Sequence, residues 1–224
     1  MTLATLLDTQ PDDAIALIDN GRETTYGELR ELVARTRAGL VAAGIEPRDR
    51  VAVVSTNTRA AVVGILATAS AGMVALLLDP GNPVAELRRE IATVGATLVL
   101  TGTPVSDEIH SRIASPAGTA IAGVDPLPEG AAAPPTPVGP DDLAVMLFTS
   151  GTAGSPKAAM LSHHNLTSSQ DAILATDHGA LDANSVVLAT IPIAHIYGLN
   201  ISLLTTLRAG GTVVLSDGFT PQRC

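Results

Sequence analysis

From Ala60 to Leu78 the chain runs nineteen residues without a charged side chain, and Asp79 and Pro80 close the run. That is near the length a bilayer requires, but Gly64, Thr68, Ser70 and Gly72 dilute it. Gly72 also divides it, into an alanine-rich helix to about Ala71 and a strand from Met73 to Leu78. A helix and a strand that are apolar on every face must both be covered by protein, and a parallel sheet with helices on its two faces supplies that cover. The run therefore predicts a buried helix–strand unit rather than a membrane span, and it commits the chain to the α/β class.

The flanking patterns agree. Thr25 and Glu28 form a capping box that opens a helix to about Ala43. Val51 to Val54 reads as a short strand, Asn82 and Pro83 as the N-cap and first turn of another helix, and Thr97 to Leu100 as a further strand. This alternation predicts parallel strands joined by helical crossovers. A stretch at about 115–142 breaks the rhythm: seven prolines fall between Ser115 and Pro140, among many Ala and Gly. It reads as an exposed connector, either within one large domain spanning 1–224 or at a domain boundary. Beyond it come a strand at Leu143–Phe148, a helix from about Ser162, a strand at Val186–Thr190, a helix near Leu199–Leu207 and a strand at Thr212–Leu215.

Charge and cysteine usage narrow the classes of partner. A net charge of −9 leaves no basic surface to neutralise a nucleic-acid backbone. The one cysteine, Cys224, is the final residue, so no internal disulfide can form. Met1 to Asp8 lacks the basic region and long apolar core of a secretory signal. A cytoplasmic location is the expectation.

Lys157 is the only lysine, against twelve arginines. It follows a short apolar strand and a loop that carries four hydroxyls (Thr149, Ser150, Thr152, Ser155) and two glycines (Gly151, Gly154), with Pro156 fixing the exit. Glycine lets the backbone approach a ligand closely, and successive amides in such turns form a concave anion site. Hydroxyls add donors, and an ammonium on a flexible stem can follow a phosphate as it moves. The spacing is not that of the Walker loop, which needs Gly and Lys adjacent. A generic Gly/Ser/Thr turn would share the composition, but not the order of strand, loop, proline and lysine.

Thr149-Ser-Gly-Thr-Ala-Gly-Ser-Pro-Lys157-Ala158 resembles the phosphate-loop signature of the AMP-forming acyl-activating superfamily, with Ala153 and Ala158 where Thr and Gly are usual. Thr25-Tyr-Gly-Glu-Leu29, Gly44 to Val53 with Arg48 at a usual glycine, Asn57, Ala71 to Pro80, Ile191 to Gly198 and Gly210 to Leu215 extend the resemblance over nearly the whole chain. The resemblance, strongest to bacterial fatty-acid–CoA ligases, implies the amino-terminal part of the large adenylation domain. It implies ATP with Mg2+, a fatty acid and CoA as ligands of the complete enzyme, whose carboxylate substrate passes through an acyl-adenylate to the thioester. It assigns Thr149, Ser150, Gly151, Thr152, Gly154 and Lys157 to nucleotide phosphate, and His195, Tyr197 and Gly198 to the acyl and CoA channel.

Other residues carry plainer readings. By its residues alone His195, in a loop between Pro192 and Gly198, fits a histidine satisfied by local backbone; the resemblance moves it to the channel wall. His163 and His164 cannot share an ion from one helix face, since adjacent helical residues diverge by about 100°; they read as a helix start. Asp141 and Asp142 read as a solvated loop end, and no residues have metal-ligand spacing. The superfamily's Tyr-Gly-x-Thr-Glu loop, ribose-binding Asp and catalytic lysine have no match in the 224 residues, so no catalytic residue is assigned. The expectation is a truncated front portion lacking the small carboxyl-terminal domain, inactive by itself and inclined to self-associate through uncovered strands. A non-catalytic nucleotide-binding module and a remnant interaction protein are the alternatives.

Overall fold

The computed structural model describes residues 1–101, 128–149, 157–176 and 181–216 with their side chains, and residues 120–123 by backbone alone. After a 3₁₀ turn at Leu3–Thr5, strands β1 (Ile15–Asp19) and β2 (Arg22–Thr25) form a hairpin. Its turn residues Asn20 and Gly21 both have positive φ, 50° and 79°, as a type I′ turn requires. Helix α1 (Tyr26–Ala42) starts at the expected capping box: Thr25 Oγ1 accepts the Glu28 amide at 3.2 Å and Glu28 Oε2 accepts the Thr25 amide at 2.9 Å. Then follow β3 (Arg50–Val54), α2 (Arg59–Ser70), β4 (Val74–Leu78), α3 (Val84–Val94), β5 (Leu98–Thr101), β6 (Ala120–Gly123) and β7 (Leu143–Thr149). The remainder is β8 (Lys157–Ser162), α4 (His163–Leu174), β9 (Val186–Ala189), a π-helical run at Tyr197–Thr205 that continues as α5 (Thr206–Ala209), and β10 (Thr212–Leu215).

Two sheets result. One has the order β6-β5-β3-β4-β7-β8, parallel except for β8; the other has β2-β1-β10-β9, parallel except for β2. A single core joins Leu17 and Val213 of the smaller sheet, Leu29 and Leu40 of α1, Ile65 and Leu66 of α2, and Val51, Val53 and Leu77 of the larger sheet. The opposite face of the larger sheet, with Val54, Leu76 and Met146, packs on Leu87 and Ile91 of α3. Helix α2 thus has packed protein on all sides, with Ala61 to Ser70 all buried, which is why nineteen residues of this chain carry no charge.

Two expectations change. Helix α3 takes Pro83 rather than Asn82 as its N-cap, so it begins at Val84. The proline-rich stretch is not a bare connector, because β6 lies inside it and pairs in parallel with β5. Residues 128–138 then form a half-buried strap across α1 and α2: the Gly130 amide donates to Arg35 O at 3.0 Å, Arg37 donates to Ala133 O, and the Thr136 amide donates to Ser70 O at 2.9 Å. A Cβ on Gly39 would lie 2.4 Å from the Pro128 carbonyl, so glycine is what lets strap and helix meet. Residues 115–119 and 124–127 of that stretch lie outside the described residues. Among the described residues no helix is long and apolar enough to cross a membrane. Edge strand β9 presents Val186 and Leu188, 66% and 46% exposed.

Candidate functional site

The β7–β8 hairpin sets the ends of the hydroxyl- and glycine-rich loop. Its register runs from Leu143↔Ser162 to Thr149↔Lys157, and Thr149 Oγ1 donates to the Lys157 carbonyl at 3.3 Å. Thr149 and Lys157 therefore stand opposite each other at the mouth of the loop, with the Lys157 side chain exposed. Ser150, Gly151, Thr152 and Gly154 lie outside the described residues. Strand β7 neighbours β4, whose carboxyl end leads into Asp79, and Asp79 Oδ1 accepts the Gly81 amide at 2.8 Å. In open α/β sheets ligands collect at the carboxyl ends of parallel strands, which is where this hairpin mouth and Asp79 sit.

A cavity of about 460 Å³ opens beside Asp79, its other wall made by Ile191, Pro192, Ala194, His195 and Tyr197. That wall is the loop leaving β9, and a buried asparagine from the other sheet's β3–α2 turn holds it. Asn57 Nδ2 donates to the carbonyls of Ala189 and Ile191, each at 3.0 Å, and Asn57 Oδ1 accepts the Ile193 amide at 2.8 Å. His195 Nδ1 accepts the Tyr197 amide at 3.2 Å. Tyr197 is half exposed on the wall. Gly198 sits behind it, buried: a Cβ there would lie 2.2 Å from Pro192 O and 2.7 Å from Ile191 O.

Of the three channel residues expected from sequence, His195 and Tyr197 line the cavity and Gly198 shapes it from behind. Asp79, Ile191 and Pro192 join them, and Asn57 holds the loop that carries Ile191 and Pro192. Asn57 stood in the sequence only as part of a resemblance; its three partners lie 132 to 136 residues away, so no local signal reports the role. The helix after the wall begins as a π-helix rather than the ordinary helix its residues suggest, and Thr205 Oγ1 donates five residues back to Asn200 O at 2.6 Å. Such runs are rare and recur near functional sites.

The two adjacent histidines open α4 as expected. His164 is exposed; His163 is buried, its Nδ1 accepting the Leu3 amide at 3.1 Å while Nε2 has no partner. Burial lowers the His163 pKa, against the opposing charge of Asp142. Among the described residues no group of three or more His, Cys, Asp or Glu side chains gathers into a metal cluster.

The profile described as "AMP-binding enzyme" matches residues 4–224. A feruloyl-CoA synthase of Amycolatopsis sp is 38% identical over 214 residues, covering 93% of this chain and 42% of that protein. A 4-coumarate–CoA ligase 3 of Arabidopsis thaliana is 30% identical, covering 89% of this chain and 38% of its own. The crystal structure of ATP-bound MatB from Rhodopseudomonas palustris superimposes with a TM-score of 0.88 at 30% identity, over 100% of this chain and 47% of that one. The chain spans less than half the length of each of these proteins.

Proposed function

The chain belongs to the AMP-binding enzyme family, and from that premise we propose that it is the phosphate-gripping front portion of an ATP-dependent, adenylate-forming carboxylate–CoA ligase. The β7–β8 register carries the reading: it sets Thr149 and Lys157 face to face across the loop mouth at the carboxyl end of the sheet. Backbone amides and hydroxyls of Ser150, Gly151, Thr152 and Gly154 would wrap the phosphates, with Lys157 supplying a mobile charge and Mg2+ arriving with ATP. The carboxylic acid would lie in the cavity of Asp79, His195 and Tyr197, its apolar body against Ile191, Pro192 and Ala194. An aromatic acid is favoured over the fatty acid expected from sequence. The feruloyl-CoA synthase likeness and the Tyr197 ring on the wall support that choice. The 224 residues hold no match to the superfamily's ribose, magnesium-loop and catalytic-lysine motifs, so these residues alone are read as binding nucleotide without completing turnover. Exposed Val186 and Leu188 on edge strand β9 support self-association of the isolated chain.

Calorimetry with ATP tests the assignment. Lys157→Ala should weaken binding by roughly ten- to hundredfold, the loss of one charge-assisted hydrogen bond of about 1.5–3 kcal/mol. Equal affinity of the two proteins would remove the phosphate loop from the argument. Acyl-adenylate formed by the isolated chain above the Lys157→Ala background would overturn the reading of binding without turnover.

A further inference from the structure

Arg37 of α1 is 6% exposed, so its charge sits inside the protein. One terminal nitrogen donates to Ser70 Oγ at 2.9 Å and the other to the Ala133 carbonyl, while Nε has no partner. Neither acceptor is charged. Among the described residues no carboxylate lies within ion-pair distance of Arg37, and Asp8 acts on it only at longer range. Arg30, about two helical turns away on α1, differs: it pairs with Asp12 and also donates to Leu7 O and Gln10 O. A buried guanidinium without a counter-charge is costly, and proteins normally supply one.

Arg37 and Arg30 line a cleft of about 210 Å³, walled by Leu3 and Leu7 of the amino-terminal segment, Leu66 and Ser70 of α2, and Pro135 of the strap. Asp8 is the single acidic residue at its rim. Ser70 ends α2 just before β4 begins at Val74, so the cleft lies toward the amino ends of the strands, away from Asp79 and the hairpin mouth. The volume suits one phosphate or carboxylate group and is too small for a nucleotide.

We propose that this cleft is a second binding site, for a small oxyanion held against Arg37. The oxyanion supplies the missing counter-charge and fastens four separate elements together: the amino-terminal turn, α1, α2 and the strap. Its occupancy sets how firmly the strap is docked, independently of the phosphate loop.

The test reads Arg37 directly. In the ¹⁵N-labelled full chain the Arg37 Nε–H resonance, assigned by its loss in Arg37→Lys, is followed while inorganic phosphate or acetate is added against chloride at matched ionic strength. A saturable shift with either oxyanion is expected, and the arm that saturates first says whether phosphate or carboxylate is preferred. Asp8→Asn should tighten binding roughly fivefold, as removal of one like charge from a half-solvated cleft does. Lys157→Ala should leave the curve unchanged. A shift that stays linear and equals that of chloride, or an affinity that Asp8→Asn leaves alone, would overturn the proposal; both hold even where Arg37 variants fold poorly, because Asp8 is exposed.

Discussion

Asn57 is the residue whose loss should tell most about the site. Its side chain springs from the turn after β3 in the larger sheet and holds the loop leaving β9 in the smaller one, through two donated bonds at 3.0 Å and one accepted bond at 2.8 Å. Asn57→Ala removes all three and leaves the Ala189 and Ile191 carbonyls and the Ile193 amide to find water. At about 1 kcal/mol for each buried hydrogen bond, the loop should lose about 3 kcal/mol. The loss is local, since Leu17 and Val213 at the centre of the smaller sheet keep their packing. Amide exchange resolves this: Ile193 should exchange roughly a hundredfold faster, and Leu17 at nearly its original rate. Unchanged exchange at Ile193 would refute the view that Asn57 holds the cavity wall. Equal acceleration at Leu17 would mean that the wall and the sheet open as one unit.

Two further outcomes follow from the same geometry. Gly198→Ala places a Cβ 2.2 Å from Pro192 O, and the overpacking should cost about 1–3 kcal/mol; an unchanged urea midpoint would show that the loop gives way freely. His163 makes stability depend on pH with a definite sign. Its folded pKa lies below the ordinary 6.5, so the unfolded chain binds the proton first. Stability is full above that value and falls as the pH drops through the window beneath it. His163→Asn keeps an acceptor for the Leu3 amide without titrating, and the difference between its urea midpoints at about pH 7.5 and about pH 5.5 should be smaller than in the parent chain.

How much of this was legible in the sequence depends on the range of the forces involved. The uncharged run from Ala60 to Leu78 announced α2 and β4, because burial on every face leaves its mark residue by residue. The Thr25–Glu28 box marked the start of α1, because a cap is a contact three residues long. The β1–β2 hairpin carries a local signal too, Asn20-Gly21 between strand-like runs, because a type I′ turn is set by its two central residues. Lys157 and its loop stood out by composition, yet only the antiparallel pairing of β8 with β7 set Thr149 against Lys157. The docking of the proline-rich strap on Gly39 and the hold of Asn57 on the β9 loop were invisible, because both join residues about 90 to 135 positions apart. The composition of a segment records whether it must be covered. Which distant segment covers it is decided by the chain closing on itself, when apolar area and backbone hydrogen bonds choose among partners that sequence order does not name.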